Sequence, residues 1–190
     1  FSTYRDSVNW VNTFALNDRH QVLLGADWYE DRLRSDTDFV EDSRWNQAAF
    51  IQHRYNAEYF STELGLRHDK NQQFGSKNTW NTALTVPLND DNDVILSYSE
   101  GFRAPTFNDL YYPDLCYPGF GCFTSANPEL SPETSKSYEA QWRSRFSETS
   151  AMELSLYRID LQDAIVLDQN DIPQNVQTAR INGFEAALQQ

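Results

Sequence analysis

A chain of 190 residues with a formal net charge of −13 carries no basic footprint for nucleic acid, and it does not suit an anionic membrane surface. Its 39% hydrophobic content is low for a filled core of this length, while aromatic residues reach 14%. No apolar run is long enough for a transmembrane helix, and the sequence shows neither a starting Met nor a signal peptide.

Period-two alternation dominates from the first residues. Val8, Trp10, Phe14 and Leu16 share one face, against Asn9 and Thr13, before a turn at Asn17. Val22, Leu24, Ala26 and Trp28 then alternate with Gln21, Gly25, Asp27 and Asp31. In 45–55, Trp45, Ala49, Ile51 and Tyr55 are set against Asn46, Gln52 and Arg54. Phe60, Thr62, Leu64 and Leu66 alternate with Ser61, Glu63, Gly65 and Arg67. Trp80, Thr82, Leu84 and Val86 follow, then Val94, Leu96 and Tyr98 after "NDDND". The later strands carry Tyr138, Ala140, Trp142 and Phe146, then Met152, Leu154 and Leu156, then Phe184, Ala186 and Leu188. Glu63, Arg67, Glu139 and Arg143 are expected opposite the apolar row.

The pattern gives an all-β fold: an antiparallel up-and-down meander of about nine strands, each near the ~9–11 residues that cross a bilayer at a tilt. Short turns are expected at Asn17, near Asn56, at 89–92 and at 147–149. Long loops are expected at 31–43, 70–78, 100–134 and 168–177. Short turns at one end and long loops at the other is the plan of a transmembrane β-barrel. A soluble sandwich also alternates, but Trp28, Trp80, Tyr98 and Tyr138 near strand ends fit the aromatic girdles of a membrane interface. Alternation is already running at Phe1 and still running at Gln190, so residues 1–190 read as part of a barrel cut from a longer protein. Such a piece leaves two open strand edges, which predicts association of the isolated chain.

The only cysteines, Cys116 and Cys122, stand in "CYPGFGC". That spacing lacks the C-x-x-C pattern and extra ligands of a metal site, and reads as a disulfide-closed loop in an oxidising compartment. Asp31, Asp36, Asp38, Glu41 and Asp42 crowd one loop. They offer oxygen donors without an EF-hand series, so a solvated charged loop competes with a calcium site. Catalysis finds no support. His20, His53 and His68 fall on different strands, no nucleophile, zinc or phosphate-loop motif occurs, and Ser61 with His68 is the only loose pairing.

The stretch "SYSEGFRAPTFNDLYYP" (97–113) passes from a strand into an aromatic loop. Pro105 and Pro113 stop strand pairing, and Pro128 and Pro132 stiffen the return. "YSEGFRAPTFNDLYYP", followed by "ANPELSPETSKSYEAQW", closely resembles the barrel of TonB-dependent outer-membrane receptors. "ARINGFEAAL" resembles a later strand of that family, and with "SLYRIDLQDAIVLD" it looks most like the cobalamin transporters. The likeness covers most of the chain from about Trp45; residues 1–44 match in pattern only.

The resemblance implies an outer-membrane receptor of a Gram-negative bacterium, not an enzyme. It implies active uptake of a scarce large ligand, cobalamin or an iron chelate such as a siderophore or haem. It further implies contact with outer-membrane lipid and with TonB through a plug domain absent from this chain. Phe107, Tyr111 and Tyr112 are the candidate ligand contacts. Asp36, Asp38, Glu41 and Asp42 are the candidate calcium ligands, because loop aspartates bind calcium in the cobalamin subfamily. No other cofactor is expected. A passive porin and a soluble all-β binding module are the competing readings.

Overall fold

The computed structural model describes residues 2–190, apart from the side chain of Leu115; Phe1 lies outside the described residues. Nine strands form one antiparallel meander. They are β1 (Ser2–Ala15), β2 (His20–Arg34), β3 (Ser43–Asn56), β4 (Ser61–Asn71), β5 (Gly75–Asn89), β6 (Asn92–Arg103), β9 (Glu133–Arg145), β10 (Ala151–Leu167) and β11 (Pro173–Gln189). Between β6 and β9 the chain makes an excursion holding α1 (Phe107–Tyr111) and a small hairpin of β7 (Leu115–Tyr117) and β8 (Gly121–Phe123). The sheet is not closed: among the described residues β1 and β11 each pair on one side only.

Side-chain amides and carboxylates close the turns locally. Asn17 Oδ1 accepts from the backbone N–H of Arg19 and His20 at 2.9 and 3.0 Å. Asn71 Oδ1 accepts from Gln73 and Phe74 at 3.0 and 3.2 Å, and Gly75 supplies the positive φ of 72° that lets β5 start at once. The long loop expected at 70–78 is therefore a tight turn of residues 72–74. Asp168 closes the 168–172 turn in the same way, accepting from Asn170 and Ile172 at 2.8 and 3.0 Å. The strands run from 11 residues, enough for a tilted bilayer crossing, to 17 residues.

The facing follows the alternation. Leu66 lies opposite both Ile51 and Trp80, Leu84 opposite Leu96, and Trp142 opposite Leu154. Glu63 lies opposite Arg54 and Ala83, and Arg143 opposite Glu153. Exposure is the reverse of a water-soluble protein. On β4, Leu64 and Leu66 are 47% and 54% exposed, while Asp69 is 4% exposed. Asn46, Asn71, Thr79 and Ser155 are also buried. The sheet curls with its polar face inward, where side chains crowd, and its apolar face outward, where they fan apart. An exposed apolar face this broad is of the kind that meets a membrane or another protein surface.

Two glycines make the inward curvature fit. The ring of Phe50 lies against Gly25, and the ring of Tyr157 against Gly183; a Cβ at either glycine would sit 2.1 Å from a ring atom. These are directly opposed cross-strand pairs. On the outward face, Trp80, Tyr98 and Tyr138 form a chain across β5, β6 and β9, with ring centroids 4.5 and 5.1 Å apart. Toward the short-turn end, Trp142 Nε1 donates to Asn92 Oδ1 at 3.1 Å. Two amphipathic aromatic levels bracketing an aliphatic belt are the girdles of a membrane-spanning barrel.

Candidate ligand-facing site

The concave wall near the long-loop end carries a charged network rather than scattered polar residues. Arg67 on β4 spans to Asp27 on β2 at 2.7 Å and to Asp69 at 2.8 Å. Asn46 on β3 donates to Asp69 at 3.0 Å, and Asn9 on β1 donates to Asp27 at 3.0 Å. Arg5 forks onto Asp31 with contacts of 2.6 and 2.8 Å, and its guanidinium lies 4.2 Å from the Tyr29 ring centre. Forked pairs fix direction as well as charge. The network ties four consecutive strands together and keeps the wall hydrophilic.

Above this wall lies a cavity of about 650 Å³, lined by Arg5, Tyr29, Arg44, Arg67, Phe102 and Phe107 among others. Helix α1 forms part of its rim. Thr106 caps α1 by accepting from Asp109 N–H at 3.1 Å, and the Asp109 carboxylate accepts from Thr106 N–H at 2.8 Å. Phe107 and Leu110 are buried beneath the helix. Arg44 anchors it from below, donating to the Pro105 carbonyl at 2.9 Å and stacking 5.1 Å from the Phe107 ring centre and 5.6 Å from that of Phe74. These partners are neutral, while Asp31 on β2 stands directly across from Arg44.

The return segment of the excursion explains its own motif. Asn127 N–H donates to the Asp109 carbonyl at 2.7 Å, and Asn127 Nδ2 donates to the Pro173 carbonyl at 2.9 Å. Ser131 N–H donates to Asn175 Oδ1 at 2.8 Å, and Asn175 Nδ2 returns a bond to the Ser131 carbonyl at 3.0 Å. Leu130 is buried between them. The N-P-x-L-x-P run therefore clamps α1 to the start of β11.

Of the three aromatic candidates, Phe107 alone reaches the cavity lining. Tyr111 accepts a hydrogen bond from Gln73 Nε2 at 2.5 Å, and Tyr112 meets Phe39 edge-on at 6.2 Å. Neither belongs to the lining. Cys116 and Cys122 are bonded across β7 and β8 with Cα atoms 3.9 Å apart, because the hairpin register sets them directly opposite. Asp36, Asp38, Glu41 and Asp42 do not converge: among the described residues no group of three or more His, Cys, Asp or Glu is placed to hold a metal ion. The loop carboxylates thus do not fit a calcium site in this conformation. Ser61 and His68 lie on opposite faces of β4, since they are seven positions apart, and they form no catalytic pair.

Arg44 and Tyr29 were missed by sequence reasoning, and Arg67 was read only as a residue of the polar face. Their one available signal was a run of charged and amide residues on the polar face of β2, β3 and β4. That signal gives no depth along the barrel.

The chain matches the family model described as "TonB dependent receptor-like, beta-barrel" over residues 1–190. It is 32% identical over 190 residues to the vitamin B12 transporter BtuB of Vibrio vulnificus, covering 95% of this chain and 29% of that protein. It is also 32% identical to the vitamin B12 transporter BtuB of Photobacterium profundum, covering 96% of this chain and 30% of that protein. The chain thus spans under a third of the length of these relatives. The crystal structure of the siderophore receptor PirA from Pseudomonas aeruginosa shares its fold, with a TM-score of 0.77 at 19% identity over 98% of this chain and 39% of that one. The ferric enterobactin receptor PfeA from the same species superposes with a TM-score of 0.71 at 19% identity, over 97% of this chain and 32% of that one. The exposed apolar belt, the aromatic girdles and the full-length match agree: this chain belongs to the TonB-dependent receptor β-barrel family, proteins of the outer membrane of Gram-negative bacteria.

Proposed function

We propose that the intact protein is an outer-membrane receptor for TonB-dependent uptake of cobalamin, and that residues 1–190 supply one side of its barrel and part of its external ligand platform. The observation that carries the cobalamin reading is the 32% identity to two vitamin B12 transporters along nearly the whole chain, against 19% to the siderophore receptors that share the fold. A plug domain preceding this segment would fill the concave face and make the contact with TonB. The charged wall suits that role, because a polar lumen admits a hydrated plug and a polar ligand alike.

The cavity beside α1 supports the same reading. Cobalamin is large and presents many amide groups and a phosphate, and Arg44 and Tyr29 offer a cation and a hydroxyl, with Phe107 packed against Arg44. A siderophore or haem receptor is the second reading, favoured by the fold match to PirA and PfeA.

Uptake of labelled cyanocobalamin by receptor-deleted cells carrying the full-length gene tests the proposal. Accumulation that requires both this protein and TonB supports it. Growth rescue on ferric siderophore or haem iron, with no cobalamin accumulation, replaces it with the second reading.

A further inference from the structure

The sequence scatters His20 and His53, but the meander brings them together. In the register of β2 and β3, His20 lies opposite Tyr55 and His53 opposite Val22. The two histidines are therefore diagonal neighbours on the outward face, at the short-turn end. His20 Nδ1 lies 3.0 Å from His53 Nε2, the ring centroids are 5.2 Å apart, and Tyr55 stacks on His20 at 4.6 Å. Both histidines are half-buried at the barrel rim.

Two imidazole nitrogens bound to one ion at about 2.0–2.1 Å each, with a ligand–metal–ligand angle near 90–109°, lie about 2.9–3.4 Å apart. The observed 3.0 Å falls in that window. With the nitrogens 3.0 Å apart and the ring centroids 5.2 Å apart, the two nitrogens face each other nearly head-on, so both rings must rotate to aim at a shared ion. We infer that His20 and His53 form a two-histidine site for a late first-row divalent ion, copper(II) or zinc(II), at the periplasmic rim of the barrel. Neutral imidazole favours these ions over calcium and magnesium, which prefer oxygen. The described residues offer no third His, Cys, Asp or Glu to such an ion, so water completes the coordination. One ligand comes from each strand of the β2–β3 hairpin, so the ion staples that hairpin.

The test uses tag-free, full-length receptor in detergent with copper(II) as the probe, read by electron paramagnetic resonance. One equivalent should bind with coupling to two nitrogens. H20Q and H53Q should each lose that signal and weaken binding by more than the about 10–100-fold typical of losing an outer-shell partner. H68Q should bind as the unaltered protein does, because His68 lies on another strand, hydrogen-bonded to Asn78. A second measurement needs no variant: zinc(II) should slow diethylpyrocarbonate modification at His20 and His53, mapped by mass spectrometry, but not at His68. Unchanged copper spectra in H20Q and H53Q, or no zinc protection of the pair, would reduce the contact to an ordinary hydrogen bond and overturn the inference.

Discussion

Arg103 and Glu133 stand directly opposite each other at the base of the excursion between β6 and β9, with Nε 2.6 Å from the carboxylate oxygen. The other Glu133 oxygen accepts the Ile165 N–H of β10 at 3.1 Å. One carboxylate thus pins three strands where the aromatic excursion leaves and returns. These are the arginine of "GFRAP" and the glutamate of "SPE", so the sequence motif has a mechanical meaning: it fastens the ends of the external segment.

Glu133→Ala should therefore loosen the excursion without unfolding the barrel. Arg103 is half exposed, which limits the ion-pair share, and the unpaired Ile165 N–H adds roughly 1–3 kcal/mol of local cost. Limited proteolysis of the full-length receptor should show faster cleavage within 104–132, while the heat-modifiable barrel band on gels persists. Unchanged cleavage would detach this pair from any role in ordering the segment.

Gly25→Ala should strain the wall, because its Cβ would meet the Phe50 ring at 2.1 Å and the nearby atoms belong to a ring that cannot bend. Overpacking of this kind costs roughly 1–3 kcal/mol. Gly25→Ala with Phe50→Ala should recover part of the loss in a urea unfolding series. Equal stability of the single variant and the unaltered protein would show that Phe50 has another resting place.

Leu66→Arg places a charge in the outward belt and should destabilise the inserted barrel by about 2–4 kcal/mol if that position lies at the bilayer midplane. Ser97→Arg, on the concave side opposite Glu139, should cost far less. Folding yields into lipid vesicles compare the two. The reverse order would place lipid on the concave face and undo the facing assignment.

The disulfide belongs to the excursion alone, since β7 pairs only with β8. Reduction should expose two thiols to alkylation yet leave the unfolding midpoint of the barrel unchanged. A shifted midpoint would mean that the hairpin packs on the barrel in the intact receptor.

The strands, their facing and the external motif were legible because a half-buried sheet writes a period of two into the sequence. Other features depend on register, which no single strand carries. His20 and His53 read as scattered until β2 and β3 are aligned, and Arg67 gives no hint of reaching Asp27 two strands away. The turn at 72–74 was hidden because "DKNQQFGSKN" is polar apart from Phe74 and Gly75, as loops are, although Asn71 and Gly75 are the residues that close it. Helix α1 is too short for a helical period to register; its only trace was the Thr106 to Asp109 capping spacing. The tyrosines beside it looked equivalent to Phe107, yet a helical turn of that length sends only one of the three into the cavity.

Recognition of cobalamin by the intact receptor is read out by equilibrium binding to the purified full-length protein. Cyanocobalamin, haem and ferric siderophores would be titrated in parallel, with Arg44→Ala and Phe107→Ala as variants of the cavity beside α1. Saturable binding of cyanocobalamin alone is expected, weakened at least about tenfold, or ~1.4 kcal/mol, in both variants. Saturable binding of a ferric siderophore or haem, with none of cyanocobalamin, would contradict it.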